Sequence, residues 1–361
     1  MNTVTQTLSS NPYTVEEADL CRDRELILDL WSRNLSSHTS DEHRARFDWH
    51  YGEDPAKASR CFLVRHSPSG KVVGTAGLGI RKTFVDKSEI TAGIAVDFMV
   101  EPQHRTLQPA VFLARAVADT MESGVDFIFA LPNKNAKAVF RRVGYVEVGP
   151  FRRFVKVLDA GDYLRRRALP GVVRVPLAAG LNLGQRVMDH LRAGLRRDWR
   201  AVEMDWRDSK LETLWQSALP SDGIMGDRRP AYLQWRFGRC PLHNHQLLGL
   251  VGAEAGHLLG YAVVYDGPAG QLKLPDLLVE RGASLTNALM AISRWAYDSG
   301  FSSIAFEVVN PAGSLVLALK QTGFVDRGNS DVLFVLDKRR ESLAKTKPWY
   351  FLRGDEFYNT F

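Results

Sequence analysis

The apolar pattern is strongest near the middle of the first half of the chain. Residues 94–100 are almost continuously apolar and β-branched, which predicts a buried strand that stops at Glu101-Pro102. Apolar positions then recur at helical spacing over residues 110–121, and a second buried strand is predicted over residues 125–130. A short helix follows and ends at Gly144. This order of elements indicates an α/β protein with a mixed sheet.

The residues around this core also show helix and strand patterns. A helix over residues 19–35 has one apolar face, and Pro68-Ser69-Gly70 marks a hairpin between strands at residues 61–65 and 72–78. A closing strand is predicted over residues 151–158. These elements complete the first half of the chain.

The second half repeats landmarks of the first in the same order, about 180 residues later. The repeated landmarks are Leu30-Trp31 with Leu214-Trp215, Trp49 with Trp235, Asp97 with Asp276, and Gly144 with Gly323. Four anchors in one order indicate an internal duplication. We therefore predict two tandem domains, residues 1–158 and 201–361, each with a mixed central sheet flanked by helices. A basic helical linker over residues 159–200 would join them.

Composition limits the class of protein without indicating its activity. The chain has 361 residues, of which 45% are hydrophobic, and a formal net charge of +6. That charge favours an anionic ligand without requiring DNA. The three cysteines have no CxxC spacing, so neither a disulfide framework nor a metal site is predicted. No apolar run reaches membrane-spanning length and the first thirty residues lack a signal core, which favours a cytoplasmic protein.

Two basic clusters bracket the predicted linker, at residues 164–167 and 195–197. The simpler interpretation is a helix whose basic face is solvated. Contact with a membrane surface or with an anionic polymer is the alternative.

Several landmarks of the core form one motif: Val100-x-Pro102, Arg105, Ala110, Asn133 and Gly144-Tyr145. In order and spacing they resemble the acetyl-CoA-binding core of the GNAT N-acyltransferase superfamily. In that family, consecutive backbone N–H groups at a helix N-terminus bind the pyrophosphate of CoA. The chain departs from the family motif where Gln108 replaces the central glycine and Pro109 removes one N–H donor.

The resemblance implies that the first half binds acyl-CoA, either acetyl-CoA or a longer form. The residues that it assigns to the cofactor site are Phe98, Met99, Val100, Arg105, Thr106, Leu107, Gln108, Ala110, Asn133 and Phe140. Arg105 is the candidate ligand of the pyrophosphate, and a surface arginine that caps the turn is the alternative. Asn133 either bonds the pantetheine amide or begins a turn.

Catalysis in this family uses a proton donor for the departing thiolate, commonly a tyrosine four residues before the closing glycine. Phe140 occupies that place in the first half and Leu319 in the second, and neither can donate a proton. Asp97 lies in an apolar strand, where an unpaired carboxylate is costly, so it is a candidate base or amine-binding group. A structural hydrogen bond is the alternative, and the counterpart Asp276 supports that alternative.

The resemblance and its departures leave three functional hypotheses open. The first is a tandem-GNAT N-acyltransferase that acts on an amine, such as an amino sugar or a polysaccharide precursor. The second is a non-catalytic scaffold that binds a metabolite or a partner. The third uses aminoacyl-tRNA as the donor, as Fem-type aminoacyltransferases do. The whole chain is similar to uncharacterised GNAT proteins of bacterial surface-polysaccharide gene clusters, and its sequence is compatible with a homo-oligomer.

Overall fold

The computed structural model describes residues 11–35, 38–161, 199–252, 256–338 and 342–356. Within these ranges the strands are β1 (Tyr13–Glu17), β2 (Arg60–His66), β3 (Lys71–Val85), β4 (Ser88–Val100), β5 (Phe127–Ala130), β6 (Val146–Val157), β7 (Arg200–Glu203), β8 (Ile224–Gly226), β9 (His245–Val251), β10 (Leu258–Asp266), β11 (Gln271–Val279), β12 (Ser303–Val309), β13 (Val325–Asp337) and β14 (Trp349–Leu352). The helices are α1 (Arg24–Asn34), α2 (Ser40–Phe47), α3 (Leu107–Asp119), α4 (Lys137–Val143), α5 (Lys210–Ala218), α6 (Pro230–Leu233), α7 (Leu285–Asp298), α8 (Gly313–Gln321) and α9 (Ser342–Thr346). Strands pair in both directions, so the predicted α/β fold with a mixed sheet is confirmed.

β3 and β4 form a long hairpin that the sequence pattern does not predict. β3 runs on to Val85 and β4 begins at Ser88, with only Asp86 and Lys87 between them. Both turn residues have a positive φ, 51° and 71°, as a type I′ turn requires. The pattern does not reveal this turn, because the usual signal is a glycine in the second position and this turn has a lysine there.

The two halves share one continuous sheet. Its strand order is β1-β2-β3-β4-β5-β13-β6-β12-β11-β10-β9-β7. β13 comes from the second half and lies between β5 and β6, while β6 comes from the first half and lies between β13 and β12. The last strand of the first half, β6, and the strand before last of the second half, β13, therefore each lie among strands of the other half. This arrangement differs from the predicted pair of separate sheets, because the pattern of one strand does not specify which strand it pairs with.

Two short strands close the sheet on itself. β14 pairs with both β12 and β8, and β8 pairs with β3. The enclosed face is packed with apolar side chains from both halves, among them Ile94, Phe127, Phe129, Phe151, Val335, Trp349 and Phe351. The two halves therefore contribute to a common core.

A pair of matched turns lies at the centre of this shared core. Each turn is π-helical, one at Asp48–Gly52 and the other at Gln234–Gly238. The indole rings of Trp49 and Trp235 stack with their centroids 4.9 Å apart. Each indole N–H donates to the backbone carbonyl of the other tryptophan, at 2.9 Å and 3.1 Å. The two turns carry one pair of the repeated sequence landmarks, and the duplication stays a prediction.

The predicted linker over residues 159–200 lies almost wholly outside the described residues, and so do both of its basic clusters. The hypothesis of a tRNA donor depends on those clusters and stays a prediction. Among the helices that the structure describes, none is long and apolar enough to cross a membrane.

Candidate active site

A gap opens in the sheet where β4 and β5 part. The two strands run parallel and pair from Ala92 with Phe127 to Ala95 with Ala130. β5 then ends, whereas β4 continues for five more residues with β3 as its neighbour. Crevices of this kind at the carboxyl ends of strands are common ligand sites in α/β proteins.

Asp97 lies where the gap begins. Its φ is 52°, and the register between β3 and β4 shifts by one residue beside it. A bulge of this kind redirects side chains and is common near functional sites.

The N-terminus of α3 lies at the end of β4. Pro102–His104 forms a 3₁₀ turn, and Thr106 precedes the helix without making a side-chain capping hydrogen bond. The first-turn N–H groups of Leu107 and Gln108 have no carbonyl of their own helix to bond. The exposed N-terminus therefore offers two backbone donors and the positive end of the helix dipole to an anion.

Arg105 adds a positive charge to this turn. Its Nε donates to the backbone carbonyl of Val100 at 3.0 Å, which ties the exposed side chain to the end of β4. The two terminal guanidinium nitrogens form no hydrogen bond with any residue that the structure describes. The side-chain amide of Gln108 donates to Asn11 at 2.8 Å. The turn thus presents a guanidinium group next to backbone donors.

Aromatic residues meet across the gap, on the side of the sheet that α3 and α4 cover. The rings of Phe98 and Phe140 lie 5.3 Å apart, and Phe140 contacts Tyr145 at 4.9 Å. Phe98 and Ala110 both pack against the buried cluster of Val111, Ala114 and Val139. A chain that entered the gap would pass beside these rings. Met99 faces the opposite side of the sheet and packs with the residues of α1.

Tyr145 has a buried polar group that sequence reasoning did not identify. The residue is 3% exposed, and its hydroxyl has no hydrogen-bond partner among the residues that the structure describes. Burial raises the pKa of this phenol well above its ordinary value. The hydroxyl is therefore protonated at neutral pH.

Asn133 begins a turn, which is one of its two predicted roles. Its Oδ1 accepts hydrogen bonds from the backbone N–H groups of Asn135 and Ala136, at 3.1 Å and 3.0 Å. These contacts direct the chain from β5 into α4, as Asn residues commonly do at turns.

The carboxylate of Asp97 is held by two side chains from another part of the first half. One oxygen forms a buried ion pair with Arg46, and the other accepts a hydrogen bond from the hydroxyl of Tyr51 at 2.8 Å. Gly77 is required beside this contact, because a Cβ there would collide with the Tyr51 hydroxyl. The geometry fits the structural alternative for Asp97. Sequence reasoning missed Arg46 as its partner.

His50 is the histidine next to this ion pair. Burial and the nearby guanidinium groups of Arg46 and Arg236 lower the pKa of His50 to about 3. Such an imidazole is a poor proton acceptor at neutral pH, because catalytic bases work best with a pKa near the working pH.

Asp276, the counterpart in the second half, is held in the same way by different residues. Its carboxylate pairs with Arg228 at 2.9 Å and accepts from the hydroxyl of Tyr261 at 2.7 Å. Arg228 also contacts Asp355 at 2.8 Å, and Asp355 pairs with Arg81 at 2.5 Å. Sequence reasoning missed this buried cluster, because Asp355 lies 127 residues along the chain from Arg228 and 274 residues from Arg81.

The segment that contains the gap and the α3 turn is similar in sequence to a known protein family. Residues 24–145 match the acetyltransferase (GNAT) family. The matched segment runs from α1 through the gap and the α3 turn to Tyr145, about a third of the chain. No curated protein matches the sequence.

Solved structures show the fold over most of the chain. A conserved protein of unknown function from Enterococcus faecalis, described as a probable N-acyltransferase, has a TM-score of 0.63 at 11% identity, over 91% of this chain and 73% of that chain. A GCN5-related N-acetyltransferase from Anabaena variabilis has a TM-score of 0.59 at 13% identity, over 90% and 72%. The N-myristoyltransferase of Saccharomyces cerevisiae with bound myristoyl-CoA has a TM-score of 0.55 at 11% identity, over 90% and 82%. The family match over residues 24–145 supports acyl transfer as the general chemistry, and the solved structures show the fold.

Proposed function

We propose that the protein is an N-acyltransferase that binds acyl-CoA in its first half and transfers the acyl group to an amine. The observation that carries this proposal is the uncapped N-terminus of α3, which lies next to Arg105 at the mouth of the gap between β4 and β5. A pyrophosphate there would receive the N–H groups of Leu107 and Gln108 and the charge of Arg105. Pro109 supplies no N–H, so this turn has one donor fewer than the family motif.

The thioester arm would lie in the gap beside Phe98 and Phe140. The attacking amine must be neutral, so it would give its proton to water before or during formation of the C–N bond. Phe140 has no proton to give, so the thiolate released when the C–S bond breaks would take its proton from water. We assign Asp97 a positioning role, because its ion pair with Arg46 and its bond with Tyr51 fix the bulge at the start of the gap. The acceptor we propose is an amino sugar or a polysaccharide precursor, as the resemblance implies.

Calorimetric titration with acetyl-CoA tests this proposal. We expect saturable binding by the wild-type protein, weakened about tenfold or more in Arg105→Ala, because a charge-assisted hydrogen bond contributes about 1.5–3 kcal/mol. Arg207→Ala is the matched control, since Arg207 is an exposed arginine of the second half. Equal weakening by both substitutions, or no binding of acetyl-CoA or longer acyl-CoA at millimolar concentration, would refute the proposed site.

A scaffold that binds acyl-CoA without turnover is the second candidate. Phe140 and Leu319 favour it, because both are buried apolar residues where the family commonly has a proton donor. Release of free CoA thiol in the presence of a panel of amines separates the two candidates. Binding without accelerated thiol release for any amine would favour the scaffold.

A further inference from the structure

The second half has a gap like the one between β4 and β5. β11 and β12 run parallel and pair from Gln271 with Ser303 to Leu274 with Phe306. Beyond these pairs β11 continues along β10, and β12 continues along β6. The two strands therefore part at their carboxyl ends, as β4 and β5 do.

The C-terminal segment of the chain fills this second gap. β14 takes the place beside β12 that β11 leaves, with Leu352 opposite Val308 and Phe351 opposite Val309. On the other side of the gap, the hydroxyl of Tyr350 donates to the backbone carbonyl of Leu277 in β11. Main chain thus occupies the space between the strands.

Gly354 continues the segment along β11. A Cβ on this glycine would lie 2.8 Å from the carbonyl oxygen of Pro275 and 3.3 Å from the Cβ of Asp276. The first distance is too short for a real Cβ, so the segment and β11 are in direct contact. The segment fits this gap only with glycine at that position.

Buried charges anchor the segment from both halves of the chain. Asp355 is 1% exposed and pairs with Arg81 of β3 and with Arg228, which also holds Asp276 of β11. Burial opposes ionisation of Asp355, but Arg228 and Arg81 outweigh it and hold its pKa below the usual range. Loss of one partner would leave a buried charge uncompensated, which is costly.

The helix that follows β11 has a capped first turn. The hydroxyl of Ser284 accepts from the backbone N–H of Asn287 at 3.2 Å and so caps the first turn of α7. Its counterpart α3 has no such cap. In the first half, no strand that the structure describes enters the gap, where the side chains of Phe98 and Phe140 meet.

We infer that residues 349–356 are a built-in plug of the second gap, which keeps acyl-CoA out of the second half. The chain then binds one donor molecule, in the first half. The inference that the chain binds one donor molecule rests on the proposed function. The plug itself rests on the contacts of residues 349–356.

Amide hydrogen exchange of Gly354→Val tests the plug in the absence of any ligand. The added side chain collides with Pro275, so we expect exchange to become at least tenfold faster in residues 349–356 and, with them, in residues 275–279. Residues 96–100 of β4 should be unchanged. Gly313→Ala is the control, because nothing lies within 4 Å of a Cβ at Gly313. Tyr350→Phe is a milder variant, which removes only the hydroxyl that bonds β11 and should give a smaller change of the same pattern.

Two outcomes would overturn the plug. One is faster exchange confined to residues 349–356 while residues 275–279 keep their wild-type rates in both variants. The other is calorimetric binding of two acetyl-CoA molecules per wild-type chain. Wild-type protein that binds no acyl-CoA refutes the proposed function, and the exchange experiment still decides whether residues 349–356 close the second gap.

Discussion

At the scale of single residues, both halves hold a buried aspartate with one arginine and one tyrosine. In the first half, the hydroxyl beside Asp97 comes from Tyr51. Phe237, the counterpart of Tyr51, has no hydroxyl, and Tyr261 on β10 bonds Asp276 instead. A tyrosine hydroxyl therefore bonds the aspartate in both halves, although the tyrosine comes from a different element in each half. This pattern favours a structural role for both aspartates.

Asp97→Asn should destabilise the folded protein by about 3 kcal/mol or more, because it leaves the guanidinium of Arg46 buried without its counter-charge. Denaturant unfolding measures the loss. The control is Asp326→Asn, which removes an exposed ion pair with Arg152 and should cost about 1 kcal/mol or less. If Asp97→Asn is as stable as the wild type and loses only turnover, Asp97 is a base rather than a positioning residue.

Tyr145→Phe should raise stability by about 1 kcal/mol, because it removes a buried hydroxyl that has no partner among the described residues. The shift of the denaturant midpoint measures this gain. Tyr51→Phe is the matched control and should lower stability, since it deletes a hydrogen bond to Asp97. A loss of stability in both variants would show that the Tyr145 hydroxyl has a partner.

The Arg105 turn was accessible to sequence reasoning because its residues are consecutive. Val100, Arg105, Leu107 and Gln108 lie together on the end of β4 and the start of α3, as the motif predicts. The partners of Asp97 were not accessible in this way. Arg46 and Tyr51 are about fifty residues away along the chain, and a charged residue in a polar helix such as α2 gives no sign that it will be buried.

At the scale of elements, local pattern predicts strands and helices but not their neighbours. The apolar positions of β6 and β13 are compatible with pairing to strands of either half. Which strands they pair with depends on contacts in three dimensions that the local pattern does not specify. The same limit applies to β14. Its sequence, Trp-Tyr-Phe-Leu, has the aromatic residues that favour a strand, but nothing in it indicates that this strand enters the gap between β11 and β12.

At the scale of the whole molecule, one sheet carries two gaps with different contents. The gap in the first half leads to an uncapped helix N-terminus and Arg105, whereas the gap in the second half contains the chain's own C-terminal segment and faces a capped helix. The proposed acyl-CoA site in the first half and the inferred plug in the second account for both observations. Each half completes the sheet of the other, because β6 pairs with β12 and β13 pairs with β5.

The most direct test of this account is amide hydrogen exchange with and without saturating acetyl-CoA. We predict slower exchange at residues 96–110, which include the N–H groups of Leu107 and Gln108, and unchanged exchange at residues 275–287. Arg105→Ala should need a higher ligand concentration for the same protection. Protection at residues 275–287, or no protection at residues 96–110 once binding is saturated, would contradict an acyl-CoA site in the first half.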